Sequence, residues 1–83
     1  MHLRRFRATA KARKHMWDKH GVEWCEVADV LATRPDIQRL AVVGQERRYV
    51  IKGRTEAGRL LKIVVAMDSP SDGRVLTAYE VHR

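Results

Sequence analysis

The sequence contains a single cysteine, Cys25, among 83 residues. One thiol cannot form a disulfide within the chain, and it cannot supply the sulfur ligands of a cysteine-rich zinc site. No apolar run approaches the ~20 residues that a membrane-spanning helix needs. The basic first residues lack the apolar core of a secretory signal. We therefore expect a cytoplasmic protein without a disulfide framework.

Motifs for metal and nucleotide binding are also missing. His15 and His20 are five positions apart, whereas two histidines on one helix share an ion when they are four apart. Gly53 and Gly58 frame a turn between two apolar runs, so they do not form the strand-to-helix glycine loop that cradles phosphates. We expect no metal and no cofactor.

Acidic residues are scarce: 10 Asp and Glu stand against 17 Lys and Arg, which gives a net charge of +7. Such an excess favours association with a polyanion such as nucleic acid, or with an acidic protein. The alternative is that the basic surface only keeps the protein soluble. A chain of this length can form one small core, so we predict a single domain over residues 1–83. Residues 1–8 form a basic arm, either a short strand or a disordered segment.

The clearest local signal is a β-hairpin. Two runs rich in β-branched residues, 49–51 and 60–67, flank a turn that contains Gly53 and Gly58. Alternation along the first run places its cations on one side and Tyr49 and Ile51 on the other. In the second run, Leu61, Ile63, Val65 and Met67 share a face. The opposite face is also largely apolar, which predicts a central strand.

Two helices are predicted before the hairpin. Thr9 is a suitable N-cap for a helix that ends at His20, and Gly21 is a suitable left-handed residue after it. The second helix is amphipathic and is broken before Pro35. Its apolar positions at helical spacing are Trp24, Val27, Ala28 and Leu31.

Further strands are predicted at residues 38–43 and 74–81, joined to the hairpin by turns that include residues 69–73. Val75, Thr77, Tyr79 and Val81 should share one face of the last strand. Helices followed by strands indicate an α+β domain, with two N-terminal helices packed on one face of a four-stranded antiparallel sheet. The other face should be partly exposed or covered by a partner.

The side chains available for chemistry are cations, imidazoles and one phenol. Cleavage of RNA by its own 2′-hydroxyl requires a proton acceptor, a proton donor for the 5′-oxygen, and positive charge on the phosphorane-like transition state. These side chains can supply all three without a metal. Structural roles are the alternative to catalytic ones, because Tyr79 could be a half-buried strand residue and His20 could interact with the helix dipole. The set is Lys52, Arg54, Arg59, Lys62, Arg74, Tyr79, His15, His20 and His82.

Three segments resemble the BrnT-like toxins of bacterial toxin–antitoxin systems: Lys19-His20-Gly21-Val22, residues 49–61, and residues 75–80. The resemblance implies a RelE/ParE-like fold and a ribonuclease that arrests growth until a cognate antitoxin covers it. It also implies that the antitoxin binds DNA and forms a complex with the toxin that represses their operon. Many members carry arginine in the last strand where this sequence has Tyr79.

We therefore predict a metal-independent endoribonuclease, an mRNA interferase that inhibits translation and growth. Arg54 and Arg59 are carried over from the resemblance as ligands of the scissile phosphate. Lys62 adds charge, and His20 or Tyr79 assists proton transfer. Two alternatives are a ParE-like toxin that binds a protein target such as DNA gyrase, and a non-catalytic nucleic-acid-binding module. Additional RNA contacts are predicted for Lys14, Arg48, Lys52 and Arg74.

Overall fold

The computed structural model describes residues 5–32, 36–43, 46–69 and 72–81. Residues 1–4 of the predicted arm, Pro35 and His82 lie outside this part of the chain. Within it, two helices and five strands follow one another in the order β1 (Arg5–Arg7), α1 (Ala10–His20), α2 (Trp24–Ala32), β2 (Asp36–Val43), β3 (Glu46–Arg54), β4 (Leu60–Ser69) and β5 (Asp72–Glu80). β2 and β5 each begin two residues before their predicted starts.

Both ends of α1 are fixed as predicted. The side-chain oxygen of Thr9 accepts a hydrogen bond of 3.0 Å from the backbone N–H of Ala12, which satisfies one of the free donors of the first turn. Gly21 adopts the left-handed conformation, with φ of 61°, and its N–H donates to the carbonyl of Trp17 at 3.0 Å. His20 is therefore held as the last residue of a helix with a defined end.

The sheet is mixed, with strand order β1-β5-β4-β3-β2. β2 to β5 are antiparallel to their neighbours, as predicted, but β1 pairs in parallel with β5 and adds a fifth strand. The prediction of a purely antiparallel four-stranded sheet is therefore wrong. β1 lies within the basic arm, for which a short strand was one of the two alternatives. Three residues are too few to show by alternation that this strand would join the sheet in parallel with β5.

The core lies between one face of the sheet and the two helices. Met16 of α1 and Val27 and Val30 of α2 are fully buried against the inward side chains of the strands. The prediction that Leu61, Ile63, Val65 and Met67 share a face of β4 is confirmed, since the first three have no exposed surface and Met67 packs beside them. The remaining strand residues of the core are Ile51, Val75 and Ala78. This arrangement confirms an α+β fold with two helices on one sheet face.

One extra residue in β5 reverses its alternation. Val65 of β4 pairs with Val75, but the adjacent Val64 pairs with Thr77, so Leu76 is an inserted bulge residue. Val75 consequently points into the core, whereas Thr77 and Tyr79 project from the opposite face. The prediction that Val75, Thr77 and Tyr79 share one face is wrong for this reason. The bulge thus places Tyr79 on the sheet face opposite to that of Val75.

Candidate functional site

The sheet face opposite the helices, called here the open face, carries most of the predicted cations. Side chains alternate along a strand, and Ile51 of β3 and Leu61 and Ile63 of β4 point into the core. Their neighbours therefore project from the open face. Both described helices pack on the other side of the sheet.

Two cross-strand rows on the open face contain predicted RNA-binding residues. The first row, called the hairpin row, lies near the β3–β4 turn and consists of Lys52, Lys62 and Tyr79 as directly paired neighbours. In the second row, called the far row, Arg48 and Arg74 pair with Ala66 on either side. The rows are four residues apart on β3, or about 13 Å at a rise of about 3.3 Å per residue. Between them lie Val50, Val64 and Thr77.

Lys62 of the hairpin row and Arg54 beside it have positive charge available to a ligand. In the part of the chain that the structure describes, Lys62 makes no hydrogen bond or ion pair. Arg54 is exposed, and its Nη1 donates to the carbonyl of Gly58 across the turn at 2.9 Å. The other N–H groups of its guanidinium have no partner among these residues. Both side chains can therefore direct positive charge at a ligand.

His20 meets Tyr79 at the edge of β5. Their ring centroids are 5.9 Å apart, and His15 packs edge-on against His20 with centroids 5.5 Å apart. β1 pairs with β5 only as far as Arg74, so a side chain from α1 can approach the later part of β5. A concavity of about 360 Å³ is lined by Lys19, His20, Tyr79 and Glu80. The two residues that the sequence offered as alternatives for proton transfer are thus neighbours, and their role stays a prediction.

Arg59 lies at the centre of a second cluster, called here the Arg59 clamp, which consists of Arg59, Glu26, Glu80 and the carbonyl of Gly21. Nη1 of Arg59 donates to both carboxylate oxygens of Glu26, at 2.8 and 2.9 Å, and to the Gly21 carbonyl at 3.0 Å. Its Nε lies 3.1 Å from Oε1 of Glu80. One guanidinium therefore links α1, α2 and β5.

The electrostatics of the clamp follow from these contacts. The hydrogen bond to Glu26 raises the pKa of Arg59 above its ordinary value, against the opposing effect of partial burial. Partial burial raises the pKa of Glu26, but hydrogen bonds from Arg59 and from the Glu23 backbone N–H outweigh it and lower the pKa overall. Both groups are consequently ionised at neutral pH.

The other predicted RNA contacts are dispersed. Arg74 lies in the far row, with Nη2 3.8 Å from a carboxylate oxygen of Asp68. Lys14 is exposed on α1, on the helix side of the sheet, so it is separate from both rows. Both residues were predicted as RNA contacts, and the structure places neither of them in the hairpin row.

The sequence analysis did not predict that Glu26 contacts Arg59 or that His15 contacts His20. Glu26 and Arg59 are 33 positions apart, and no local pattern reports a contact over that distance. His15 was among the candidate side chains of the sequence analysis but was given no role in the predicted site. The structure places its ring edge-on against the ring of His20.

Cys25 is exposed, and its thiol donates to a carboxylate oxygen of Glu23 at 3.3 Å. This hydrogen bond is the main cause of a raised pKa for Cys25. A thiol held protonated in this way is a poor nucleophile. The cysteine therefore offers no competing chemistry.

Among the residues whose structure is described, no three His, Cys, Asp or Glu side chains come together in a way that could hold a metal ion. Metal independence stays a prediction. Neither described helix is long and apolar enough to cross a membrane.

The fold is shared with a solved structure. No protein-family model matches the sequence, and comparison with curated proteins gives no match. The crystal structure of the Brucella abortus ribonuclease toxin BrnT superimposes with a TM-score of 0.75, over 96% of this chain and 99% of that one. Sequence identity is 10%, so the likeness is one of fold. At that level it confirms the predicted BrnT-like resemblance.

Proposed function

We propose that this protein is the toxin of a toxin–antitoxin pair and acts as an endoribonuclease that needs no metal ion. The observation that carries the proposal is the hairpin row on the open face. There Lys62 pairs with Tyr79, and Tyr79 contacts His20 at the edge of the sheet. The ribonuclease toxin BrnT, with the same fold, supports this reaction class.

The proposed reaction is an internal transfer at one phosphate of the RNA. The 2′-oxygen attacks phosphorus, a new P–O2′ bond forms, and the P–O5′ bond breaks. The 2′-hydroxyl loses one proton and the departing 5′-oxygen gains one, so the products are a 2′,3′-cyclic phosphate and a 5′-hydroxyl. No oxidant, water or metal enters this step.

The available cations of the hairpin region would stabilise the negative charge that develops on the phosphate. Arg54 offers a planar set of N–H donors, and Lys62 offers a compact charge. His20 and Tyr79 are proposed to carry the two protons, because an imidazole can accept or donate and a phenol can donate. Preorganised charge of this kind commonly accounts for most of such a rate enhancement.

The rest of the open face would bind the RNA strand. Lys52 extends the hairpin row, while Arg48 and Arg74 place positive charge at the far row. The strip between the rows contains two valines against which bases can pack. Lys14 lies on the helix side and would touch only RNA that continues around the edge of β5.

The proposed partner is an antitoxin encoded beside this protein, which would bind DNA when complexed. An acidic or helical segment laid on the open face would neutralise its charge and exclude RNA. Addition of the purified partner in equimolar amount should abolish both RNA binding and cleavage. A complex that still cleaves RNA at the rate of the free protein would contradict this mode of inhibition.

The reaction is tested by incubating the purified chain with end-labelled RNA in excess EDTA. Cleavage that leaves 2′,3′-cyclic phosphate ends is expected, and it should disappear at any site where a single 2′-deoxy nucleotide replaces the ribonucleotide. An Arg54→Ala/Lys62→Ala variant, shown to be folded by circular dichroism, should be inactive. Absence of cleavage, with and without translating ribosomes, would favour a protein-targeting toxin or a binding module.

A further inference from the structure

Arg54 and Arg59 flank the same turn, but their surroundings give them different roles. We infer that Arg59 is a positioning residue that holds His20 and Tyr79 in place, and that it is not a ligand of the phosphate. The inference rests on the proposed ribonuclease function for its catalytic consequence. Its structural part can be measured whether or not the protein cleaves RNA.

The contacts of Arg59 fall on the two residues that adjoin the proton carriers. The Gly21 carbonyl, 3.0 Å from Nη1 of Arg59, belongs to the residue directly after His20. Glu80, whose Oε1 lies 3.1 Å from Nε, directly follows Tyr79. The same guanidinium therefore fixes the chain beside both rings, whose centroids are 5.9 Å apart.

Arg59 is itself anchored by the turn that carries it. Its backbone N–H donates to Oγ1 of Thr55 at 3.1 Å, and its carbonyl accepts from the N–H of Thr55 at 2.8 Å. Thr55 is the buried polar residue of this turn, only 6% exposed. The clamp is consequently built on a rigid base, as positioning requires.

The charge around Arg59 argues against phosphate binding. The clamp combines one guanidinium with the carboxylates of Glu26 and Glu80, so its formal charge is negative. The Arg59 side chain is 25% exposed, and a phosphate that approached it would lie beside two carboxylates, which repel its negative charge. Arg54 makes a single contact, to a neutral carbonyl, and remains the better phosphate ligand.

Glu80 connects the clamp to the candidate site. It lines the concavity that contains Lys19, His20 and Tyr79, and it also lines a neighbouring concavity of about 220 Å³ beside Arg54 and Arg59. Glu80 is therefore shared between the clamp and the concavity that contains the two rings. A shift of Glu80 would be transmitted to Tyr79 through one peptide unit.

The two arginines can be compared as matched variants, Arg59→Ala and Arg54→Ala. RNA affinity is measured with a 2′-deoxy oligonucleotide, which binds but cannot react, over a range of salt concentrations. Arg54→Ala should reduce the slope of log affinity against log salt by about 0.7, the value for one phosphate contact on a single strand. Arg59→Ala should leave that slope unchanged.

The effect of Arg59→Ala should instead appear in the turnover of a cleavable RNA. Misplacement of reacting groups by about 1 Å can cost roughly 100-fold in rate, so Arg59→Ala should lower kcat by about that factor with KM unchanged. Equal losses of affinity and of salt slope in Arg59→Ala and Arg54→Ala would overturn the inference, because Arg59 would then be a phosphate ligand.

A structural readout separates this inference from the proposed function. Nuclear Overhauser contacts between the rings of His20 and Tyr79 should persist in Arg54→Ala and disappear in Arg59→Ala. If Arg59→Ala fails to fold, Glu80→Ala removes the link beside Tyr79 while the Glu26 contacts remain, and it should show the same loss. Retention of the ring contacts in the folded variants would refute positioning, even if the wild type cleaves no RNA.

Discussion

Glu26 shows how a single residue ties stability to the arrangement of the site. Its carboxylate accepts from Arg59 at 2.8 and 2.9 Å and from the backbone N–H of Glu23 at 3.1 Å. The second contact satisfies a free donor at the start of α2, as in a capping box. Ionisation of the carboxylate strengthens both contacts.

The first prediction concerns the pH dependence of this stabilisation. The folded-state pKa of Glu26 is lowered from 4.5, so its contribution is fully present above about pH 4.5 and is lost as the pH falls through the folded pKa. Wild type should exceed Glu26→Gln by about 1 kcal/mol in free energy of unfolding at neutral pH. Urea titrations at several pH values should show the difference shrinking below pH 4.5. A difference that grows on acidification would contradict the assignment.

The second prediction concerns the phenol of Tyr79. Tyr79→Phe keeps the ring beside His20 and removes only the hydroxyl. If the phenol transfers a proton, the single-turnover cleavage rate should fall by roughly 100-fold or more, with unchanged affinity for the 2′-deoxy oligonucleotide. An unchanged rate would exclude the phenol from proton transfer.

At the scale of elements, β1 makes a close packing contact with β5 in addition to its backbone pairing and the Arg7–Asp68 ion pair. A Cβ on Gly73 of β5 would lie 2.8 Å from Cε1 of the Phe6 ring and 3.3 Å from the sulfur of Met67. Glycine at this position therefore allows the Phe6 ring of β1 to pack directly on the backbone of β5. β1 covers the start of β5 and leaves the later part, which includes Tyr79, open to His20.

The third prediction follows from that contact. Gly73→Ala should lower the free energy of unfolding by about 1–3 kcal/mol, because the ring must move or β1 must separate. In a Phe6→Ala background the same substitution should cost much less, since the obstructing ring is gone. Chemical denaturation of the four proteins of this cycle measures the coupling. Equal costs in both backgrounds would contradict the packing described here.

The sequence predicted the elements whose signals are local. Thr9 and Gly21 identified the ends of α1, and the alternation of residues 60–67 identified the inward face of β4. The bulge at Leu76 was not predictable, because an inserted residue is defined only by the pairing of two strands. For the same reason, the faces of Thr77 and Tyr79 were assigned wrongly to the side of Val75.

The sequence could predict several residues of the candidate site, but it could not predict how they are arranged in space. Residue type alone indicated Lys62, His20 and Tyr79 as chemical groups. The pairing of β4 with β5 brings Lys62 beside Tyr79, and the packing of α1 brings His20 to Tyr79. The same reasoning treated Arg54 and Arg59 as equivalent. Only the fold brings Glu26 and Glu80 to Arg59, so its partners could not be read from neighbouring residues.

For the whole molecule, the positive charge of the open face is the feature that matters for the proposed function. The chain carries a formal charge of +7, and α1 on the helix side is also basic, with Lys11, Arg13, Lys14 and Lys19. A polyanion can therefore be attracted to either side of the sheet, but the two rows of cations and Tyr79 belong to the open face. His20 and Tyr79 lie at the edge of the open face, where a bound RNA strand would pass them.

The most direct test of a ribonuclease site on the open face compares Lys62→Met with Lys11→Met in single-turnover cleavage of RNA in EDTA. The two substitutions remove the same charge, but Lys11 is exposed on α1, away from the open face. Lys62→Met should be slower than wild type by about 100-fold, the loss for one transition-state donor, and Lys11→Met should match wild type. Equal rates in the two variants would contradict the account.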